Sequence, residues 1–216
     1  MKKSLILFAI ILCSAQVYGQ KKKLDFFSEV GVSINRTSVK DSNTENRTGF
    51  GFGVYQSFRD SQKVDFLVGL EFHQTRQFKK NVYGGRFSSY NDVEYSYSWL
   101  SFPIFARINF GERIKYFGSF GIFGDVPLGA SAKGTKQTSS YNENGELVVI
   151  TSESKKIPVD VKSTFGGSLG AGAVIPVSTV RLVIKANYKF NALNISGDPM
   201  QSIRNNYFSV GVGMKL

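Results

Sequence analysis

The chain has 216 residues, a formal net charge of +11 at pH 7 and 14% aromatic residues. Its length predicts one domain, and its composition excludes an intrinsically disordered chain. After the first twenty residues, no apolar run reaches the roughly 20 residues that a membrane-spanning helix needs. The sequence therefore also excludes a helical membrane protein.

Residues 1–19 are predicted to be a cleaved signal peptide, and residues 20–216 to form one mature domain. Two lysines precede the apolar run Leu5–Leu12, and small residues follow up to Gly19. This order of basic, apolar and small residues is typical of secretory signals. Cleavage removes those two lysines and lowers the net charge to +9. An exported basic protein is expected to meet anionic lipid or polysaccharide, and no nucleic-acid partner is predicted.

Cys13 is the only cysteine, and it lies inside the predicted signal peptide. Leu12 is too large for the small residue that precedes a lipidated cysteine, which disfavours a lipoprotein anchor. The mature chain then has no thiol, which excludes disulfides, thiolate catalysis and cysteine–metal sites. No cofactor is predicted.

Eight segments of the mature chain alternate apolar and polar residues with the period of two that is typical of half-buried strands. They are Phe26–Arg36, Arg47–Phe58, Val64–Phe78, Tyr95–Phe110, Tyr116–Leu128, Lys162–Ile175, Val180–Asn191 and Tyr207–Leu216. In the fifth segment, Phe117 and Phe123 lie on the opposite face to Phe120 and Ile122, which indicates either a bulge or aromatic side chains that fill an interior.

Long and short connections alternate between these segments. The long ones are Thr37–Asn46, Lys79–Asp92, Gly129–Asp160 and Leu193–Ile203. Strands of about ten residues, tilted by about 45°, span roughly 24 Å, close to the apolar band of about 25 Å in outer-membrane barrels. The sequence predicts an all-β fold, an eight-stranded antiparallel up-and-down transmembrane β-barrel. Its short turns and both termini would be periplasmic and its long loops external.

Charged residues occupy the face of these strands that would line the barrel lumen. They are predicted to form a lumen charge network of Glu29, Asp65, Glu71, Arg107, Asp125, Arg181, Lys185 and Lys189. A narrow barrel is filled by its side chains, so the network is interpreted as a plug of ion pairs. A narrow polar pore is the alternative, and a soluble ligand-carrying barrel is the structural alternative.

The apolar face of the last strand is predicted to carry an assembly signal that the barrel insertion machinery reads. Its residues are Phe208, Val210, Val212, Met214 and Leu216. The predicted partners are this machinery, outer-membrane lipid and other envelope or secretion proteins.

Aromatic residues cluster near the start of the fourth predicted strand. Tyr83, Tyr90, Tyr95, Tyr97 and Trp99 are predicted to form an interfacial girdle, with Tyr188, Phe190 and Tyr207 as additions. A carbohydrate-stacking patch is the alternative.

The sequence gives little support for catalysis. His73 is the only histidine, and it shares a strand face with Glu71. A hydrolase would need this pair together with a serine or threonine nucleophile. Glycines such as Gly166 and Gly170 alternate inside strands, which excludes a nucleotide-binding loop. The favoured function is non-enzymatic, a structural or interaction component of the cell envelope.

Four features together resemble the PorT-like outer-membrane β-barrel family of Bacteroidetes-type bacteria. They are the lysine-led signal peptide ending before Gln20, the Ser-Phe-Pro-Ile-Phe-Ala-Arg strand Ser101–Arg107, the glycine-rich strand Gly166–Gly172 and the terminal Lys215-Leu216. The likeness covers essentially the whole mature chain. It implies an outer-membrane location and, for the founding members, a role with the gliding-associated secretion system. Leu216 replaces the final aromatic residue that is usual in this family.

Overall fold

The computed structural model describes residues 28–38, 43–58, 63–83, 87–157, 159–195 and 205–216. The predicted signal peptide and most of the predicted connection Leu193–Ile203 lie outside these ranges. Within them the chain forms nine strands: β1 Glu29–Thr37, β2 Thr44–Ser57, β3 Val64–Tyr83, β4 Ser88–Phe110, β5 Lys115–Tyr141, β6 Leu147–Ile157, β7 Thr164–Val177, β8 Val180–Asn191 and β9 Tyr207–Lys215. No helix in this part of the chain has the length and apolar character needed to cross a bilayer.

Eight of the described strands close into a barrel, and every pairing is antiparallel. The circuit runs β1-β2-β3-β4-β5-β7-β8-β9 and returns to β1. At the seam, Val32 of β1 lies opposite Val212 of β9, and the Leu216 amide donates a hydrogen bond of 2.9 Å to the Ser28 carbonyl. The predicted eight-stranded barrel is confirmed. Closure leaves no unpaired strand edge in hydrocarbon, where each exposed amide would cost several kcal/mol.

The apolar parity of each strand faces outward. Val32, Phe52 and Phe120 are more than half exposed, whereas residues of the other parity, such as Glu29 and Ser101, are buried. Because side chains alternate across a strand, the outer surface of the barrel is an apolar band suited to lipid.

Several strands extend well beyond the predicted boundaries. β3 continues to Tyr83 and β4 begins at Ser88, so the predicted loop Lys79–Asp92 is mostly a β-hairpin. The predicted loop Gly129–Asp160 contains the outer part of β5 and the whole of β6. These loop predictions were wrong because a hairpin that extends beyond the membrane does not need one apolar and one polar face, so the alternation that reveals a strand is absent.

The mixed aromatic pattern of the fifth predicted strand is explained by filling of the lumen. Phe117 and Phe123 are buried inside the barrel, whereas Phe120 and Ile122 face outward. The pairing of β5 with β7 is regular throughout this stretch. The irregularities of β5 lie further along, where its register with β4 shifts near Trp99 and again between Asn91 and Glu94.

The filled lumen as the candidate functional site

A bidentate ion pair joins β4 and β1 across the lumen, in the part nearer the short turns. Arg107 Nη1 lies 2.9 Å from Glu29 Oε2, and Nη2 lies 3.3 Å from Oε1. Lys185 Nζ of β8 lies 3.6 Å from the same carboxylate. Rings cover both cations, since Arg107 lies 4.2 Å from the centroid of Phe117 and Lys185 lies 3.9 Å from that of Tyr55. One carboxylate therefore balances two cations in a site closed by aromatic rings.

A second ionic group lies deeper in the lumen around Glu71 of β3. Lys189 forms an ion pair with one carboxylate oxygen, and the Tyr55 hydroxyl donates a hydrogen bond of 2.5 Å to the other. The Lys189 ammonium also lies 5.0 Å from the ring centroid of Phe123. A cavity of about 20 Å³ remains beside Glu71 and Lys189, room for about one water molecule.

His73 and Asp125 are both fully buried next to this group. His73 Nε2 lies 3.6 Å from Asp125 Oδ2, and its ring packs 4.9 Å from that of Tyr207. The hydrolase hypothesis paired His73 with Glu71, but Glu71 is bound by Lys189 and Tyr55. The cavity of about 20 Å³ that His73 borders is also too small for a substrate.

The network residues nearest the short turns form a separate group. Asp65 accepts a hydrogen bond of 3.0 Å from Asn109 and lies 3.7 Å from Lys215 Nζ. Arg181, predicted as a lumen residue, is exposed at this mouth of the barrel and forms no ion pair with a described carboxylate. The structure thus brings Glu29, Arg107 and Lys185 together and leaves Arg181 apart.

An apolar cluster, here called the cap, closes the opposite end of the lumen. Its buried members are Val93, Tyr95, Tyr97, Trp99, Ala132 and Ile195. Val159 and Val161, in the segment that returns from β6 to β7, pack against it. The Trp99 indole N–H donates a hydrogen bond of 3.3 Å to the Thr75 hydroxyl.

The burial of several aromatic residues in the barrel contradicts the predicted aromatic girdle. Tyr95, Tyr97 and Trp99 point into the barrel with at most 3% exposure, and Tyr207 is also buried. Tyr188 and Phe190 do face outward. The parity of β4 that places Arg107 in the lumen also places Trp99 there, so continuing the alternation along the strand would have revealed the cap.

The described residues of the lumen leave little space for a ligand. None of them forms a group of three His, Cys, Asp or Glu side chains arranged to hold a metal ion. A second cavity, between Tyr55, Arg107 and Phe117, has a volume of only about 10 Å³. The arrangement can brace the barrel wall from inside, because the carboxylates of Glu29 and Glu71 are paired with cations from other strands.

Comparisons with solved structures return small outer-membrane barrels. Neisserial surface protein A has 14% identity and a TM-score of 0.46, with 87% of this chain and 96% of that chain covered. Ail of Yersinia pestis has 16% identity and a TM-score of 0.41, with 87% and 98% covered. OprG of Pseudomonas aeruginosa has 8% identity and a TM-score of 0.42, with 88% and 96% covered.

A search among functionally curated proteins found no significant match. The family model described as "Outer membrane protein beta-barrel domain" matches residues 5–215, which is nearly the whole chain. The match agrees with the closed antiparallel barrel and its apolar outer band, and this family implies an outer-membrane location. The chain therefore belongs to the outer membrane protein beta-barrel domain family.

Proposed function

We propose that this protein is a non-enzymatic outer-membrane barrel whose role is to present a β-strand edge to another envelope protein. The edge belongs to a projecting hairpin, here called the arm. The arm consists of residues Ala132–Tyr141 of β5 together with the whole of β6. In this proposal the short turns and both termini are periplasmic and the arm is external.

The exposed edge of β6 carries the proposal. Among the described residues, β6 pairs only with β5 and ends the strand order of the sheet. Its outer edge therefore offers unpaired backbone donors and acceptors, the feature that recruits an additional strand.

The first four residues of β6, Leu147–Ile150, are apolar on both faces of the strand. Leu147, Val149 and Ile150 are each more than half exposed, and consecutive residues point to opposite faces. A strand that is apolar on both faces is typical of the interior of a sheet. An extended apolar segment of a partner would pair with the edge and cover these side chains.

The arm is held in a defined shape, which favours recognition over disorder. At its tip, the Asn142 amide donates to the Glu146 carbonyl at 3.0 Å, and the Glu146 amide donates to Asn142 Oδ1 at 2.8 Å. On its other side, Ser88 and Asn91 of β4 pair with Thr138 and Thr135 of β5. A rigid edge loses little conformational entropy when a partner binds.

Photo-crosslinking in intact cells tests the proposal. A crosslinking residue at position 150 is expected to give a discrete adduct with one envelope protein, and Val149→Lys should abolish it because edge lysines block strand addition. A crosslinker at Phe52, in the lipid-facing band, is the matched control and should not give this adduct. The proposal would be contradicted if both positions gave the same adduct, or if the adduct from position 150 persisted in Val149→Lys.

The resemblance to the PorT-like family supports a secretion assembly as the setting of this contact. A deletion strain should then secrete fewer proteins, and the Val149→Lys variant should fail to restore secretion although it reaches the membrane. Unchanged secretion in the deletion strain would exclude this setting while leaving the crosslinking test of the edge intact.

A further inference from the structure

The mouth of the barrel at the short turns contains an open cavity of about 200 Å³. Four cationic and two acidic side chains line it, Arg113, Lys115, Arg181, Lys215, Asp65 and Glu112. We propose that this mouth is a binding site for a phosphate group. The proposal is independent of the arm, which lies at the other end of the barrel.

Strand register explains why the cations meet here. Lys115 begins β5 opposite Val174 of β7, whose side chain is buried in the lumen, so Lys115 shares the lumen-facing parity. Arg181 lies opposite Lys215 of β9 in the same sheet. Arg113 reaches the cavity from the turn between β4 and β5. The cations thus come from the turn between β4 and β5 and from β5, β8 and β9, whereas β7, which lies between β5 and β8, contributes Val174 and Pro176.

The two acidic residues, Asp65 and Glu112, balance only part of the positive charge of the four cations. Asp65 is engaged by Lys215 at 3.7 Å and by Asn109 at 3.0 Å. Arg113, Lys115 and Arg181 form no ion pair with any carboxylate in the described part of the chain. Like charges held together on a rim repel one another, and a bound dianion would relieve this repulsion with charge-assisted hydrogen bonds.

The surroundings place this charge next to the membrane surface. Phe110 and Tyr116, at the adjoining ends of β4 and β5, are both at least half exposed and stack with centroids 5.9 Å apart. Exposed aromatic rings at strand ends mark the level of the lipid head groups. The phosphate group could therefore belong to an anionic phospholipid or to a soluble phosphate compound, and the cavity volume fits a head group rather than a large ligand.

Titration with inorganic phosphate tests the site. The isotope-labelled full-length mature protein, in an uncharged maltoside detergent, would be titrated at constant ionic strength while the amide NMR signals of residues 112–115 and 180–182 are followed. Saturable shifts confined to these signals are expected. The double variant Arg113→Gln, Arg181→Gln should weaken the affinity by about tenfold or more.

Lys63→Gln provides the matched control, because Lys63 is exposed at the same end of the barrel but does not line the cavity. It removes a charge of the same sign and should leave the phosphate affinity within about twofold of the native value. Heat-modifiable gel migration would verify that every variant forms the barrel. Equal weakening by Lys63→Gln, or unsaturable shifts, would show general charge attraction and overturn the proposal.

Lipid nanodiscs separate the two sources. If phosphatidylglycerol nanodiscs without free phosphate produce the same shifts in the native protein and not in the double variant, the ligand is a lipid head group. If only inorganic phosphate produces them, the ligand is a soluble phosphate compound. If neither does so, there is no phosphate site.

Discussion

Arg107 of β4 and Glu29 of β1 form a bidentate ion pair, at 2.9 and 3.3 Å, although they lie 78 residues apart in the sequence. Neither strand is the hydrogen-bonded neighbour of the other. The pair therefore links opposite parts of the barrel wall across the lumen, and both side chains are buried.

Replacing Glu29 should strongly destabilise the barrel. Glu29→Gln removes the charge that balances Arg107 and Lys185, and an uncompensated buried charge costs about 3–5 kcal/mol. Urea unfolding in lipid vesicles would measure the loss of free energy of unfolding.

The exposed pair of Glu45 with Arg47, at 3.2 Å, provides the control. Glu45→Gln should cost only about 0–1 kcal/mol, because solvent screens that pair. Equal losses in Glu29→Gln and Glu45→Gln would show that the lumen pair contributes no more than a surface pair.

Position 172 requires glycine, because neighbouring atoms lie too close to its Cα to leave room for a side chain. A Cβ there would overlap the Ile184 carbonyl oxygen and the Phe117 ring. Gly172→Ala should therefore lower the free energy of unfolding by about 1–3 kcal/mol through overpacking. Gly118→Ala on the outer face, where a Cβ would meet no atom within 4 Å, should change stability by about 0.5 kcal/mol at most. Similar stability of both variants would be inconsistent with the packing of Phe117.

The position of Trp99 can be measured directly because it is the only tryptophan in the chain. As a member of the cap, with 0% exposure, it should emit at short wavelength and resist quenching by iodide and by brominated lipids. A tryptophan moved to the lipid face, in the double variant Trp99→Phe, Tyr188→Trp, should be quenched by brominated lipids. Strong quenching of the native protein by brominated lipids would contradict the burial of Trp99 in the cap and support the predicted interfacial girdle.

The native protein should not conduct ions. The cap closes one end of the lumen and the two ionic groups fill its middle, so planar bilayers containing the pure protein are expected to show no stepwise conductance. A trimeric porin in the same chamber would serve as the positive control. Reproducible steps from the pure protein would favour the narrow-pore alternative.

The C-terminal strand should govern assembly. Leu216 is 67% exposed at the end of the seam between β9 and β1, and Leu216→Asp should reduce membrane assembly while leaving export unchanged. Leu147→Asp, at a similarly exposed leucine of the arm, should assemble normally. The measurement is the fraction of heat-modifiable protein in the outer membrane, and equal assembly of the two variants would count against the signal.

The sequence by itself determined the barrel and which face of each of its strands points outward. In lipid, one face of a strand must be apolar while the other fills a polar lumen, so the period of two is written into segments such as Val180–Asn191 and Tyr207–Leu216. Alternating connection lengths then placed all tight turns at one end. The same parity rule assigned Glu29, Arg107 and Lys189 to the interior.

Only the tertiary structure decided which interior residues meet and where the strands end. Glu29 pairs with Arg107 and Lys185, while Arg181 lies exposed at the mouth, because partners across a lumen depend on the tilt and closure of the whole sheet. The sequence did not reveal β6, because a hairpin outside the membrane does not need one apolar and one polar face and its residues therefore do not alternate. Local alternation records the phase that each side chain meets, whereas contacts across the lumen are set when the eight strands close.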